Sequence, residues 1–108
     1  MTTFLTTTFS PMMLTAGVKA VVEEVSLEAV KSELAGSAWT SAVGHATTAP
    51  VLTALLSTEV SFNRVNLALT KGTVVLVVTP NFRADVAREF TFEEVSAAGF
   101  RCFRVEGV

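Results

Sequence analysis

A chain of 108 residues fits one domain of ordinary size, with room for a single packed core and not for two. Half of the residues are hydrophobic and only 17% are charged, and the mean hydropathy is +0.53, so part of the apolar surface is expected to be hidden by a second subunit. A formal net charge of −2 with only eight scattered basic residues argues against a protein that wraps duplex DNA, which carries a basic stripe.

The longest strongly apolar run, Val74 to Val78, is far short of the roughly 20 residues that span a bilayer, so no membrane partner is expected. No secretory leader is legible either. The first twenty residues hold a single basic side chain, Lys19, and threonines interrupt Phe4, Leu5 and Phe9 where a continuous apolar region would stand. A cytoplasmic location is the expectation. One cysteine, Cys102, cannot close an internal disulfide, and in the alternating run Phe100 to Val105 it reads as a buried structural thiol. With one histidine and one aspartate, Asp85, a protein-held transition metal is not expected, nor is any cofactor.

In chain order, Phe4 to Thr6 reads as a first strand, and Ser10 with Pro11 opens a short helix through Leu14. Val18 to Val25 reads as a second strand. Ser26 caps a helix through Leu34, with Leu27, Val30, Lys31 and Leu34 at helical spacing and Gly36 as the stop. Trp39 to Val43 returns as a strand, after which Thr47 or Thr48 caps a helix from Pro50 to Leu56 whose Val51, Leu52, Leu55 and Leu56 face a sheet. Asn63 to Thr70 alternates like a strand, with Val65, Leu67 and Leu69 on one side, and Lys71-Gly72 turns it into the apolar strand Thr73 to Val78. Pro80 to Asp85 reads as loop, because proline ends strand pairing. Thr91-Phe92-Glu93-Glu94 forms a capping box for a last helix ended by Gly99, and Phe100 to Val105 is a last strand. The fold class is α/β: one small domain over residues 1–108, with a mixed β-sheet covered by short helices and a homodimeric assembly.

Two strands run directly into capped helices, one at Ser10-Pro11 and one through Gly44-His45-Ala46-Thr47-Thr48-Ala49-Pro50. Helix N-termini present unpaired N–H groups and a positive dipole end, so the two together would cradle phosphate if they open at the same sheet edge. The same hydroxyls would serve equally well as plain caps. His45 is the one side chain of a type that titrates near neutrality. It precedes a helix start, which suits proton transfer, although a structural role fits a lone histidine too. Arg64 and Arg83 suit bidentate phosphate binding or simple solvation.

The segments Phe4 to Leu14, Gly44-His45-Ala46-Thr47-Thr48, Asn63-Arg64-Val65, Arg83 and Thr91-Phe92-Glu93-Glu94 together resemble the viral ring nucleases of archaeal viruses and bacteriophages, which act as anti-CRISPR proteins against type III immunity. The resemblance implies a homodimer that binds the second messenger cyclic tetra-adenylate across its two-fold axis and cuts it without metal. It also implies that His45 is the general acid and that Arg83 stabilises charge on the scissile phosphate. Thr7, Ser10, Met12, Thr47, Arg64 and Leu67 fall on ligand-contacting positions. The chain departs from the family at Thr7 and Met12, where asparagines are usual, at Ala46 and Thr47, where aspartate and serine are usual, and at Val86, where an acidic residue stands. Asp85 and Glu89 are the nearest carboxylates, and one residue of loop slippage would let Asp85 serve. An alternative is a protein that sequesters the cyclic oligoadenylate without cutting it. A third reading is a small dimeric scaffold with no nucleotide site.

Overall fold

The computed structural model describes residues 2–44, 46, 48–80, 93 and 99–108. Its centre is a five-stranded mixed sheet in the order β2-β5-β4-β1-β3, built from β1 (Thr2–Thr6), β2 (Ala20–Val25), β3 (Thr40–Ser41), β4 (Thr73–Pro80) and β5 (Phe100–Gly107). β1 runs parallel to both neighbours, with Phe4 opposite Thr40 on one side and Val75 on the other. β5 runs antiparallel between β4 and β2, with Val105 opposite Val75 and Val22. β4 is apolar from Val74 to Val78, and these residues are fully or almost fully buried, as expected of a central strand covered on both faces.

Helices α1 (Leu27–Gly36) and α2 (Ala49–Leu56) cover one face. Val30 and Leu34 of α1 and Val51, Leu52, Leu55 and Leu56 of α2 pack on Leu5, Val74, Leu76, Val78 and Cys102, so the helical spacing read from the sequence marks the buried side in both. Each leucine buried this completely contributes about 1.5–3 kcal/mol. Ser26 caps α1, its Oγ accepting from the Ala29 N–H at 3.1 Å. Arg104 ties α1 to β5, donating from Nε to Glu33 Oε1 at 2.9 Å.

Among the described residues, no helix of comparable length covers the other face. Val75, Val77 and Val105 point there, alternating with the helix-facing set, and meet Ala42, Leu67 and Leu69 with Phe4, Phe9 and Met13 around them. The outer strand β2 carries exposed Glu23 and Glu24, charges that discourage pairing with another sheet edge. Glu24 accepts two hydrogen bonds from Arg101, each 3.0 Å long.

The structure differs from the sequence reading in five places. Residues 63–70 form no strand; their one β-bridge is a parallel one between Leu69 and Leu14. The alternation arises because Leu67 and Leu69 press onto the second sheet face while Val65 stays exposed. The strand expected from Trp39 to Val43 contracts to Thr40–Ser41, since the backbone beyond it pairs with residue 63 instead of extending an edge. Gly36 is the last residue of α1 and has no left-handed φ. The helix expected after Ser10 is one 3-10 turn, Pro11–Met13. β4 continues to Pro80, opposite Phe100, a position a proline tolerates at a strand end. The last helix, expected from Thr91-Phe92-Glu93-Glu94, falls outside the described residues except at Glu93.

Candidate functional site

Because β1, β3 and β4 are mutually parallel, their carboxyl ends share one edge of the sheet. The chain leaves β1 over the second face, where Phe9 and Met13 pack, and leaves β3 toward α2 on the first face. Neighbouring parallel strands whose exits diverge in this way leave a crevice outside their carboxyl ends, the usual ligand position in open α/β sheets.

A cleft of about 350 Å³ opens there, lined by Thr6 at the end of β1 with Thr7 and Thr8 beyond it, by Ala42 and Gly44 after β3, and by Met13, Arg64, Val65 and Leu67. The strand ends are fastened beneath it. Ala42 N–H donates to the Leu5 carbonyl at 2.8 Å, and Thr6 Oγ1 donates to the Ala42 carbonyl at 3.3 Å. Residues 61–63 are stitched to the same strand end: Ser41 Oγ donates to the Ser61 carbonyl at 2.6 Å, Asn63 N–H to the Val43 carbonyl at 2.9 Å, and Asn63 Nδ2 to the Ser41 carbonyl at 2.6 Å. Arg64 follows directly, and its Cγ lies beside Gly44, 3.7 Å from where a Cβ would stand. A buried hydroxyl on one wall, an exposed guanidinium on the other and the buried Leu67 between them suit a ligand that is anionic on one part and apolar on another.

Of the residues singled out from sequence, Thr7, Arg64 and Leu67 come together in this cleft. Ser10 and Met12 do not line it. Ser10 is occupied as the cap of the 3-10 turn, its Oγ accepting from Met12 N–H at 3.2 Å, and Met12 is 91% exposed. A three-residue turn has no macrodipole of consequence, so the first of the two expected helix-end phosphate sites is absent. At the second, Thr48 holds the N-cap position of α2 without a side-chain capping bond. His45, Thr47, Arg83 and Asp85 lie outside the described residues, as do Val86 and Glu89. Among the described residues, Gly44 lines the cleft and β4 ends at Pro80.

The sequence reading missed Thr8, Met13 and the positioning role of Asn63. The run Thr6-Thr7-Thr8 at the end of a strand was a usable signal for the first. No local pattern announces that an asparagine side chain will reach a carbonyl 22 residues away. Cys102 is buried among the residues under the helices, and burial pushes its thiol up from the ordinary value, with a smaller push from Glu24, so it is the structural thiol expected.

Comparison with known proteins follows this architecture closely. The chain is similar to the protein B116 of Sulfolobus turreted icosahedral virus, with a TM-score of 0.80 and 20% identity over 97% of this chain and 98% of that one. It is 30% identical over 87 residues to "Uncharacterized protein 26" of Sulfolobus islandicus filamentous virus (isolate Iceland/Hveragerdi), covering 80% of this chain and 74% of the relative. Both relatives are viral proteins, and no helix among the described residues is long and apolar enough to cross a membrane. The profile of one family matches residues 3–102, and the chain therefore belongs to the STIV B116-like family.

Proposed function

We propose that this protein is a metal-independent ring nuclease that binds cyclic tetra-adenylate as a homodimer and opens it, antagonising type III CRISPR signalling in the host cytoplasm. The observation that carries the proposal is the convergence of Thr7, Arg64 and Leu67 on one cleft at the carboxyl ends of β1 and β3. Gly44, which precedes His45 in the chain, lines the same cleft. Phosphate is the natural guest of Arg64, whose planar fork matches two phosphate oxygens.

The chemistry requires little from the protein, because RNA carries its own nucleophile. The ribose 2′-oxygen attacks the adjacent phosphorus in line, the bond from phosphorus to the 5′-oxygen breaks, and the product ends are a 2′,3′-cyclic phosphate and a 5′-hydroxyl. The 2′-hydroxyl proton passes to solvent. His45 delivers a proton to the leaving 5′-oxygen, and Arg83 offsets the charge that builds on the phosphorane oxygens. Asp85, the nearest loop carboxylate to Arg83 in the chain, takes the acidic position of the loop.

Size supports the dimer. A volume of about 350 Å³ is near the lower end for small-molecule sites and takes one nucleotide comfortably, whereas a four-nucleotide ring needs more than one such cleft. A two-fold axis supplies every group twice to a ring that can share the symmetry. An apolar hollow of about 360 Å³ adjoins the cleft through Thr7 and Thr8 and is walled by Val22, Phe103 and Val105, which offers a partner subunit an apolar seat.

Incubation of the pure protein with cyclic tetra-adenylate in EDTA tests the reading. Linear product with a cyclic phosphate end is expected, and intact ring at high enzyme concentration would refute cleavage. Val86 at the usual acidic position favours a second reading, sequestration, which predicts tight binding with the ring recovered uncut.

A further inference from the structure

Resting on the nucleotide-binding reading above, the geometry points to Phe62 as a stacking platform for one adenine base of the bound ring. A second depression, of about 450 Å³, is formed by Ala46, Pro50 and Thr53 with Glu59, Val60 and Phe62. Gly44 and Arg64 line the first depression, and Ala46 and Phe62 line the second. Phe62 precedes Arg64 by two residues, so their Cα atoms stand no more than about 7.6 Å apart, within the span of one nucleotide whose phosphate sits at Arg64.

Phe62 is 53% exposed, the one aromatic ring left so open among the described residues. Yet its backbone is firmly held. The preceding carbonyl, of Ser61, accepts from Ser41 Oγ at 2.6 Å, and the following N–H, of Asn63, donates to Val43 at 2.9 Å. The far side of the groove is pinned as well, by the Val60 N–H donating to Thr53 Oγ1 at 2.9 Å. A rigidly presented, uncovered ring loses little freedom when a flat ligand settles on it. Any nucleobase has a π-face that stacks on such a ring. Glu59 selects what enters: its carboxylate repels phosphate and accepts from an exocyclic amino group such as the N6 of adenine. Phosphate thus goes to Arg64 and the base to Phe62.

Calorimetric titration of cyclic tetra-adenylate into the wild-type chain and into Phe62→Ala, Phe62→Leu and Phe62→Trp tests this. Leucine keeps an apolar side chain and lacks the π-face, so both Phe62→Ala and Phe62→Leu are expected to bind about tenfold more weakly, a loss within the usual range for base stacking on an aromatic ring. Phe62→Trp should keep wild-type affinity, and its fluorescence should be quenched by the ligand beyond any change seen from Trp39 in the wild type. Thermal melts of the variants should match the wild type, since the ring is exposed. Wild-type affinity in Phe62→Ala and Phe62→Leu would overturn the assignment and leave the nucleotide reading intact. A wild-type chain that binds no cyclic tetra-adenylate would overturn both.

Discussion

Asn63 donates its side-chain amide to the backbone carbonyl of Ser41 over 2.6 Å, and this bond fixes the segment that carries Arg64 to the end of β3. Removing it in Asn63→Ala leaves the Ser41 carbonyl without that partner. The expected cost in stability is about 1–2 kcal/mol, read from urea unfolding. Affinity for cyclic tetra-adenylate should fall more steeply than stability does, because Arg64 and Phe62 lose their common support. A variant with weakened stability and unchanged affinity would show that the amide holds the fold and not the site.

His45→Ala should separate cutting from binding. General-acid catalysis is worth about 10²–10⁴ in rate, so single-turnover cleavage should slow by at least a hundredfold while the calorimetric affinity for the ring stays close to wild type. Cleavage that survives intact would make the histidine structural.

Gly107 is predicted to resist enlargement. A Cβ there would run into the backbone carbonyl of Thr70, and the two segments are already joined by the Gly72 N–H donating to the Gly107 carbonyl at 3.0 Å. Neither backbone is free to move aside, so Gly107→Ala should destabilise by about 1–3 kcal/mol, as overpacking does. The shift in urea midpoint measures it. Gly44→Ala makes the contrast: its added methyl would meet Arg64 Cγ at ordinary contact distance, and the unfolding midpoint should barely change.

Cys102 makes a pH prediction. Burial raises its thiol pKa in the folded chain, so the folded state keeps a proton that the unfolded state begins to lose above about 8.5. The associated stability is complete below that pH and is lost as pH rises toward the folded value. Urea unfolding between neutral and alkaline pH should show a decline that is shallower in Cys102→Val. Equal slopes in the two proteins would remove the thiol as its source. Alkylation of the native protein at neutral pH should be slow for the same reason.

The fold was legible wherever one periodicity had one cause. Val51, Leu52, Leu55 and Leu56 mark the face of α2 because only a helix buries those four together, and Val74 to Val78 mark a central strand because both faces are covered. The alternation of Leu67 and Leu69 misled because any extended segment lying flat on a sheet buries every second residue, whether or not it pairs. The left-handed residue that follows α2 is Ser57, with φ of 53°, where no glycine signalled it. At the site, Arg64 was visible as a cation suited to phosphate, and Thr7 only through the family resemblance. Phe62 and Asn63 were not, since a phenylalanine in an apolar chain suggests core, and a bond across 22 residues leaves no trace in spacing.

The brevity of β3 has a dynamic consequence. Only Phe4 and Leu5 pair with it, at the outer edge of the sheet, so Thr40 to Val43 should open more easily than any other part of the sheet and exchange its amide hydrogens fastest. A ligand that grips Thr7 after β1 and Arg64 beside β3 closes the same seam from outside. Its binding energy would then surface as slowed exchange along that one edge, turning the weakest strand of the protein into the reporter of an occupied site.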